Sequence, residues 1–278
     1  MKTAMETLLP LLARDFFVAS AKSLLVKPIS AQDANRIIRS LHYSGKVDTR
    51  SQIHLGVFMG DKCGGAMQFG PPIDRRKVIG TVTGTPWNAM LDLNRMAFAD
   101  WLPRNGESRC IAYAMRWIHK TYPFMQWVQS YADGTQCGDG TIYRASGFSL
   151  IGIRNNTSMY RMPDGEVCCK IIFEPGFQPN AGTNSQKAKY GKTGSETAGK
   201  FLARICATKL SGFQLRYIYF LDPSARSRLT VPILPFSEIE KRGAKMYLGK
   251  SSVVSADSGT AGIQPARDGA NPITTLSS

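Results

Sequence analysis

The chain has 278 residues, with 35 lysines and arginines against 20 aspartates and glutamates, so its formal net charge at pH 7 is +15. Its 43% of hydrophobic residues argues against global disorder, and no run of about 18 apolar residues is present that would predict a membrane-spanning helix. A protein with this much positive charge is expected to bind a polyanion, and nucleic acid is the first candidate.

The N-terminal stretch and the cysteines both favour a cytoplasmic protein. Residues 1–23 form a loosely amphipathic lead-in whose apolar run is interrupted by Arg14 and Asp15, so no export signal is predicted. The six cysteines include no C-x-x-C pair, which argues against a zinc ribbon and a thioredoxin-like motif. Small core hydrophobes are the expected role for them.

The first predicted elements are a short strand at 24–28 and the helix that follows it. Ser30 and Asp33 have the spacing of a capping box at the start of that helix. Apolar residues then recur at helical spacing as far as residue 41. Gly45 can take the left-handed conformation that ends a helix.

The remaining elements alternate between strands and helices. Strands are predicted at 53–59, 63–69, 89–98, 126–131, 148–153 and 213–221, and helices at 108–122 and 141–146. A tight hairpin turn at 60–62 joins the first two of these strands, and residues 73–88 are predicted to be a loop insertion. The order indicates an α/β protein with a mixed sheet, because hairpins appear early in the chain.

Composition divides the chain into five segments. After the lead-in at 1–23, a core is expected at 24–177 and a second part that completes the fold at 200–248. Residues 178–199 are polar, basic and glycine-rich, which predicts a mobile loop. Residues 249–278 are small and polar, which predicts a disordered tail.

A loop at the start of one helix suits a phosphate. It contains Arg104, Asn105, Gly106, Ser108 and Arg109, and the free N–H groups of a helix N-terminus attract anions. In an acyltransferase such a loop would hold the pyrophosphate of coenzyme A. A basic helix cap, with Ser108 capping and Arg109 solvated, explains the residues equally well.

Polar residues also follow a buried strand. Asp133 stands at the start of a glycine-rich turn, where it could act as a general base or metal ligand, and Tyr143 could donate a proton to a leaving thiolate. The alternative is that Asp133 caps the turn and Tyr143 packs in the core. His42 is placed at a helix C-terminus, where histidines usually interact with the last carbonyl groups. No dinucleotide or phosphate-loop glycine signature is present, so a methyltransferase is not expected.

Several strings, taken together and in order, resemble the phage Mom family of DNA-modification proteins. They are HYSGK (42–46), HLGVF (54–58), FGPP (69–72), LDLNR (91–95), PRNGESR (103–109), SYADG (130–134), GTIYRASGF (140–148) and RYIYFLDPSARSRLTVPILPF (216–236). The resemblance covers residues 24–240. It implies a fold like that of the GCN5-related N-acyltransferases (GNAT), with a C-terminal extension, and the predicted element order is that of this fold.

The resemblance also implies an activity. The family acts on adenine in duplex DNA and converts it to a methylcarbamoyl-type base, which protects phage DNA from restriction in the host cytoplasm. Acetyl-CoA or a related acyl donor would bind at 103–109, although this loop departs from the strict Gln/Arg-x-x-Gly-x-Gly/Ala pattern of acyltransferases. Acetyl transfer alone does not supply the nitrogen of a methylcarbamoyl group. Iron dependence is implied as well, with His42, Tyr43 and Asp133 as the expected ligands.

Four residues are assigned catalytic roles on this basis. Asp133 would orient or deprotonate the adenine amine, and Tyr143 would serve the leaving group or polarise the carbonyl. Arg95 and Ser108 would hold the donor or the developing oxyanion. The target base must be flipped out of the duplex to reach them.

Contacts to DNA are expected from cationic loops. The candidates are Lys46, Arg50, Arg75, Arg76, Lys77, Lys187, Lys189 and Lys192. Two other functions stay open at this point. One is a GNAT acyltransferase acting on a small amine or a protein lysine, which the charge opposes, and the other is a non-catalytic basic DNA-binding protein.

Overall fold

The computed structural model describes residues 20–174, 184–247 and 250–251. In chain order, the elements as far as the sixth strand are β1 (Leu24–Pro28), α1 (Ala31–Leu41), β2 (Ile53–Met59), β3 (Lys62–Gly70), α2 (Arg75–Ile79), β4 (Met90–Phe98), α3 (Gly106–Thr121), β5 (Trp127–Asp133), α4 (Thr141–Ala145) and β6 (Ser149–Asn155). Those that follow are β7 (Met159–Arg161), β8 (Val167–Cys169), α5 (Asn184–Lys189), α6 (Ala198–Arg204), β9 (Thr208–Lys209), β10 (Phe213–Phe220), α7 (Ser237–Lys241), β11 (Met246–Tyr247) and β12 (Lys250–Ser251). Short 3-10 helices lie at Ala21–Ser23, Lys170–Phe173 and Pro223–Arg228.

The main sheet has seven strands in the order β1-β2-β3-β4-β5-β10-β6. Neighbouring strands are antiparallel except for β4 and β5, which run parallel. The predicted α/β fold with a mixed sheet is confirmed. In the described part of the chain no helix combines the length and the apolar character that crossing a membrane would require.

Local signals in the sequence set several boundaries correctly. The Ser30 hydroxyl accepts a hydrogen bond from the Asp33 N–H at 3.0 Å and caps α1. Gly45 adopts a φ of +59° just beyond the end of that helix, as predicted. Gly60, with a φ of +58°, turns β2 into β3, and the two strands pair as the predicted hairpin.

Three predicted boundaries are wrong. The insertion at 73–88 contains the short helix α2, and α3 begins at Gly106 rather than at residue 108. The stretch 178–199 was predicted to be a loop, yet its described part contains α5 and the start of α6. Helix α6 is ordered by Phe201, which is buried against Phe173 from a distant part of the chain.

Parts of all five predicted segments lie outside the described residues. These are 1–19 of the lead-in, 175–177 of the core, 178–183 of the basic stretch, 248 of the part that completes the fold, and 249 with 252–278 of the tail. Within the predicted tail, the described strand β12 pairs with β11.

The two faces of the sheet are covered by different elements. On one face Leu91 and Val128 pack with Ile111 and Met115 of α3. Their strand neighbours point the opposite way because side chains alternate along a strand. On that second face Trp127 packs near the 3-10 helix Pro223–Arg228. Helix α1 covers the same face at β3 and β4.

A smaller sheet, β8-β7-β9, lies beside the main one. Its apolar cluster includes Phe173 and Phe201. An ion pair from Lys46 to Glu166, with 2.6 Å between Nζ and Oε1, ties it to the loop that follows α1.

Candidate active site

The parallel strands β4 and β5 separate soon after they begin. They pair only from Met90 to Asp92, opposite Trp127 to Gln129. Beyond that point β4 remains paired with β3 and β5 remains paired with β10. The second halves of the strands therefore border a split in the sheet. Ser130 spans it with a long hydrogen bond of 3.5 Å from its hydroxyl to the Leu93 carbonyl.

Tyr143 lies at this split with its ring in the core. The side chain is only 7% exposed, and its ring packs between Phe148 and Tyr217, with centroid distances of 5.4 and 5.2 Å. A hydrogen bond joins its hydroxyl to Ser130, and burial raises its pKa to about 12. The alternative that Tyr143 packs in the core is correct for the ring. Its hydroxyl stays protonated at neutral pH beside the split.

Several of the residues predicted to form the site lie around Tyr43. Desolvation raises the pKa of Tyr43, and Cys137, Asp133, Arg95 and Tyr143 all interact with it electrostatically. We call Tyr43 and these four residues, together with His42, the cleft cluster. The structure brings His42, Tyr43, Arg95, Asp133 and Tyr143 close together, and the roles assigned to them from the sequence stay predictions.

His42 is neutral in this cluster. Desolvation, and then the charge of Arg95, lower its pKa to about 4. The Ser44 N–H donates to Nδ1 at 3.1 Å, so the ring proton resides on Nε2. The ring also stacks on Tyr43, with 4.2 Å between centroids.

Asp133 caps the turn that follows β5. Its Oδ1 accepts hydrogen bonds from the Thr135 N–H at 3.0 Å and from Asn156 Nδ2 at 3.1 Å. Its Oδ2 accepts a longer one, of 3.3 Å, from Gln136. This is the turn-capping arrangement that the sequence left open as the alternative. It also fixes the carboxylate next to Tyr43.

The predicted iron ligands do not fit a metal centre as they stand. His42 keeps its proton on Nε2, and the carboxylate of Asp133 is occupied by three donors. Tyr43 is 54% exposed, yet partial desolvation and the neighbouring Cys137 and Asp133 raise its pKa, which disfavours the phenolate that a metal would need. Across the described ranges, no three His, Cys, Asp or Glu side chains come together in a group that could hold a metal ion.

Arg95 and Ser108 occupy separate places. Arg95 donates from Nε to the Lys46 carbonyl at 2.9 Å, which holds the loop after α1 against the sheet. Ser108 is not part of the cleft cluster. It lies in the first turn of α3, where its hydroxyl donates to the Asn105 carbonyl at 3.2 Å.

The predicted phosphate loop forms one wall of an open groove of about 660 Å³. The groove is lined by Ser20, Ala21, Lys22, Pro103, Arg104, Asn105, Ser108, Arg109, Ala112, Arg116 and Ala145. Four of these are cationic, and we call this feature the cationic groove. Gly106 is buried close to β1, where a Cβ would lie 2.8 Å from Leu24 Cδ1, so a larger residue here would have to displace the end of the Leu24 side chain.

The groove and the split are joined by α4. Ala145 lines the groove, while Tyr143 on the same short helix reaches Ser130 at the split. A hydrogen bond of 3.4 Å from Ser146 to the Ser108 carbonyl fastens α4 to the start of α3. The cationic groove and the split are therefore connected through α4.

A buried polar network on the second sheet face was not predicted. Gln129 donates from Nε2 to Asp92 Oδ1 at 2.6 Å, and Arg216 donates from Nε and Nη2 to Gln129 Oε1 at 3.0 and 2.7 Å. Arg216 Nη2 also donates to Thr81 Oγ1 at 2.6 Å. We call these four residues the Asp92 network. Its signal in the sequence is a polar residue at the third position of each of two otherwise apolar strand starts, MLD and WVQ.

Asp92 makes the stability of the protein depend on pH. Burial raises its pKa from 3.8 to about 6, so the stabilisation it provides is complete below about pH 4 and is lost as the pH rises through 6. This pKa difference corresponds to about 3 kcal/mol. We expect Asp92→Asn to gain stability relative to the wild type by that amount between pH 4 and pH 7, as measured by urea unfolding at each pH.

Asp74 provides the matched control for this measurement. Lys77 lowers its pKa below 3.8, so the stabilisation from Asp74 is complete above about pH 4 and is lost only below it, and Asp74→Asn should differ from the wild type by a nearly constant amount between pH 4 and pH 7. A difference between Asp92→Asn and the wild type that stays constant with pH would show that Asp92 is ionised normally in the folded protein.

The predicted DNA-contacting cations fall into two groups. Four are held by partners within the chain: Lys46 by Glu166, Arg50 by Asp48, Lys189 by Asp164 and Lys192 by the Glu196 carbonyl. The other four lie on helices: Lys187 on α5, and Arg75, Arg76 and Lys77 together on α2, where Arg75 also donates to Asn88 and Lys77 pairs with Asp74. Arg75 lies 5.0 Å from the ring of the exposed Trp87. The loop at 71–88 thus presents both cations and an aromatic ring.

Comparison with known proteins identifies relatives of the chain. The model of the Mom protein family matches residues 23–238. The methylcarbamoylase mom of Escherichia phage Mu is 36% identical over 214 residues, which cover 77% of this chain and 82% of that protein.

Solved structures were compared as well. The ribosomal-protein-S18-alanine N-acetyltransferase of Escherichia coli gives a TM-score of 0.38 at 10% identity and covers 72% of this chain and 94% of its own. A Bacillus subtilis acetyltransferase in complex with CoA gives 0.38 at 9% identity, covering 71% of this chain and 98% of its own.

Proposed function

The chain belongs to the Mom protein family, and from this premise we propose that it is an enzyme that transfers an acyl group to the exocyclic amine of adenine in duplex DNA. The product of this transfer would be an N-acyl adenine; the methylcarbamoyl-type base that the name of the phage Mu relative suggests would require a further nitrogen from a second donor. The enzyme would act in the infected host cell and protect phage DNA from restriction. One observation supports this most strongly: the split between β4 and β5 lies between a cationic groove and a polar cluster.

The cationic groove suits a donor with phosphate groups, such as acetyl-CoA or a related thioester. Lys22, Arg104, Arg109 and Arg116 supply positive charge around the start of α3. The first N–H groups of a helix have no partner within the helix and point outward. A pyrophosphate in the groove would leave the thioester end free to extend along α4 toward the split.

The reaction requires a nucleophile and a proton donor at the split. Adenine's amine is a poor nucleophile because its lone pair is delocalised into the ring, so its nitrogen must be held about 3 Å from the carbonyl carbon. As the nitrogen–carbon bond forms, the carbon–sulfur bond breaks and the amine passes a proton to the carboxylate of Asp133. Tyr143, which stays protonated, would give its proton to the departing thiolate. Asp133 would orient the amine, and Arg95 would balance the developing negative charge.

DNA would approach from the second face of the sheet. The overall charge of +15 favours a polyanionic acceptor over a small cationic amine. The cations of α2 lie on the loop that also carries Thr81 of the Asp92 network. Phosphate contacts from this loop would place the duplex over the split, and extrusion of the base would cost a few kcal/mol.

The experiment that tests this proposal measures the bases of cellular DNA. The chain is expressed in bacteria in iron-supplemented medium, and the DNA is digested to nucleosides for mass spectrometry. We expect a heavier deoxyadenosine that is absent from cells carrying the empty vector. Unchanged nucleosides despite abundant folded protein that binds DNA would instead support the non-catalytic DNA-binding function.

A further inference from the structure

We infer that the sheet face beside the split, formed by Tyr131 and the Asp92 network, is the pocket that receives the extruded adenine. Tyr131 would stack on the base, and the free oxygen of Asp92 would accept a hydrogen bond from its 6-amino group. This inference rests on the proposed function and specifies where the acceptor base binds.

The residues of the pocket share one face of the sheet. Gln129 and Tyr131 alternate along β5 with Val128 and Ala132, which point into the α3-side core, so both point to the opposite face. Asp92 stands between Leu91 and Leu93, which belong to that same core.

Tyr131 is placed to form the floor of the pocket. It is 38% exposed, although its neighbours Ser130 and Ala132 are buried. It lies opposite Arg216 in the β5–β10 ladder, and a hydrogen bond links it to Gln129. An exposed aromatic ring held at a fixed position is the usual platform on which proteins stack an unpaired base.

The network fixes which atoms of Asp92 and Gln129 face a ligand. Two hydrogen bonds from Arg216 hold Oε1 of Gln129, so its Nε2 must point toward Asp92. Oδ1 of Asp92 is taken by that amide. Within the described ranges Oδ2 has no hydrogen-bond partner. A carboxylate oxygen that can only accept suits an amino group, and burial makes this carboxylate a stronger base than an ordinary aspartate.

The position of the pocket matches the geometry of the reaction. Asp92 and Gln129 form the last paired residues of β4 and β5, immediately before the strands separate. A base held there has its amine at the mouth of the split, on the far side of the sheet from α3. The loop at 71–88 borders the pocket at both ends, because Arg50 bonds the Pro71 carbonyl at 3.3 Å and Arg216 bonds Thr81.

The first test isolates the stacking contact. Fluorescence anisotropy compares purified protein bound to a single-stranded thymidine oligonucleotide with one central adenine and to the same strand with an abasic analogue there. We expect the wild type to prefer the adenine strand, and Tyr131→Ala to reduce that preference by about 5- to 100-fold. Affinity for the abasic strand should not change, because phosphate contacts remain.

Two matched variants accompany this test. Tyr131→Phe keeps the ring and should keep the preference. Tyr113, on α3, is 39% exposed and lies outside the pocket, so Tyr113→Ala controls for the loss of an equally exposed tyrosine. A preference that survives in Tyr131→Ala, or that the wild type never shows, overturns the inference.

The second test addresses the amino group. The central adenine is replaced by purine, which lacks the 6-amino group, and the loss of wild-type affinity is measured. In Asp92→Asn the side-chain carbonyl must face Gln129 Nε2, so the amide NH₂ would meet the adenine amine as donor against donor. We expect this variant to bind the adenine and purine strands equally. Retained discrimination in Asp92→Asn contradicts the assigned contact.

The results of these tests distinguish a failure of this inference from a failure of the proposed function. If the wild type modifies cellular DNA and Tyr131→Ala does so equally well, the pocket is misplaced and the enzymatic function stands. If no modified nucleoside forms while binding still depends on Tyr131 and the 6-amino group, the pocket stands and the transfer reaction is wrong.

Discussion

A Tyr143→Phe variant should modify adenine at least about 100-fold more slowly than the wild type and remain folded. Loss of a general acid typically costs 10²- to 10⁴-fold in rate. The variant removes only the hydroxyl, and the ring contacts with Phe148 and Tyr217 remain. The measurement is the amount of modified deoxyadenosine per unit of folded protein, from mass spectrometry and thermal unfolding of the same preparations.

Tyr217→Phe is the control that distinguishes catalysis from packing. Tyr217 is another buried tyrosine, and its hydroxyl donates to the Asp139 carbonyl at 2.5 Å. Its loss should cost about 1 kcal/mol of stability and leave the modification rate within a few-fold of the wild type. Equal activity losses in the two variants would mean that Tyr143 acts only through the fold.

The second large effect is expected at the cationic groove. Reversing both charges in Arg104→Glu with Arg109→Glu should weaken the binding of coenzyme A by about 100-fold or more, because charge-assisted hydrogen bonds to phosphate contribute about 1.5–3 kcal/mol each. Titration calorimetry with coenzyme A at low salt measures this directly. The modification rate at saturating donor should fall far less, since neither arginine belongs to the cleft cluster.

A double variant with the same change in net charge serves as the comparison. Lys120→Glu with Lys241→Glu reverses two charges at residues that do not line the groove. Its coenzyme A affinity should stay within a few-fold of the wild type. A comparable loss in both double variants would attribute the effect to overall charge and leave the groove without a donor.

The two sides of the proposed site place different demands on the fold. The groove needs a helix N-terminus, which Gly106 allows by fitting against β1. The acceptor side needs a polar surface inside a sheet, and the Asp92 network provides one because Arg216, Gln129 and Oδ1 of Asp92 bond one another and leave Oδ2 of Asp92 for a ligand. The split between β4 and β5 is where the two sides can meet.

Several features of the fold were determined by the sequence alone. The α/β class, the helix start at Ser30, the turn at Gly45 and the hairpin at Gly60 follow from capping, glycine conformations and strand periodicity. Each is decided by residues within a few positions of one another. The resemblance of the motifs identified the family, because short sequence strings that recur in a fixed order can be recognised without a structure.

Other features were decided by the tertiary structure. The pairing of β5 with β10 brings Gln129 to Arg216, 87 positions away, and no local pattern encodes that contact. Tertiary packing also buries the ring of Tyr143 and brings Asn156 to the carboxylate of Asp133. The environment of a side chain is set by elements distant in sequence, whereas periodicity reports only on the element itself. For that reason the sequence could name members of the cleft cluster but could not predict their protonation, their partners or the pocket beside them.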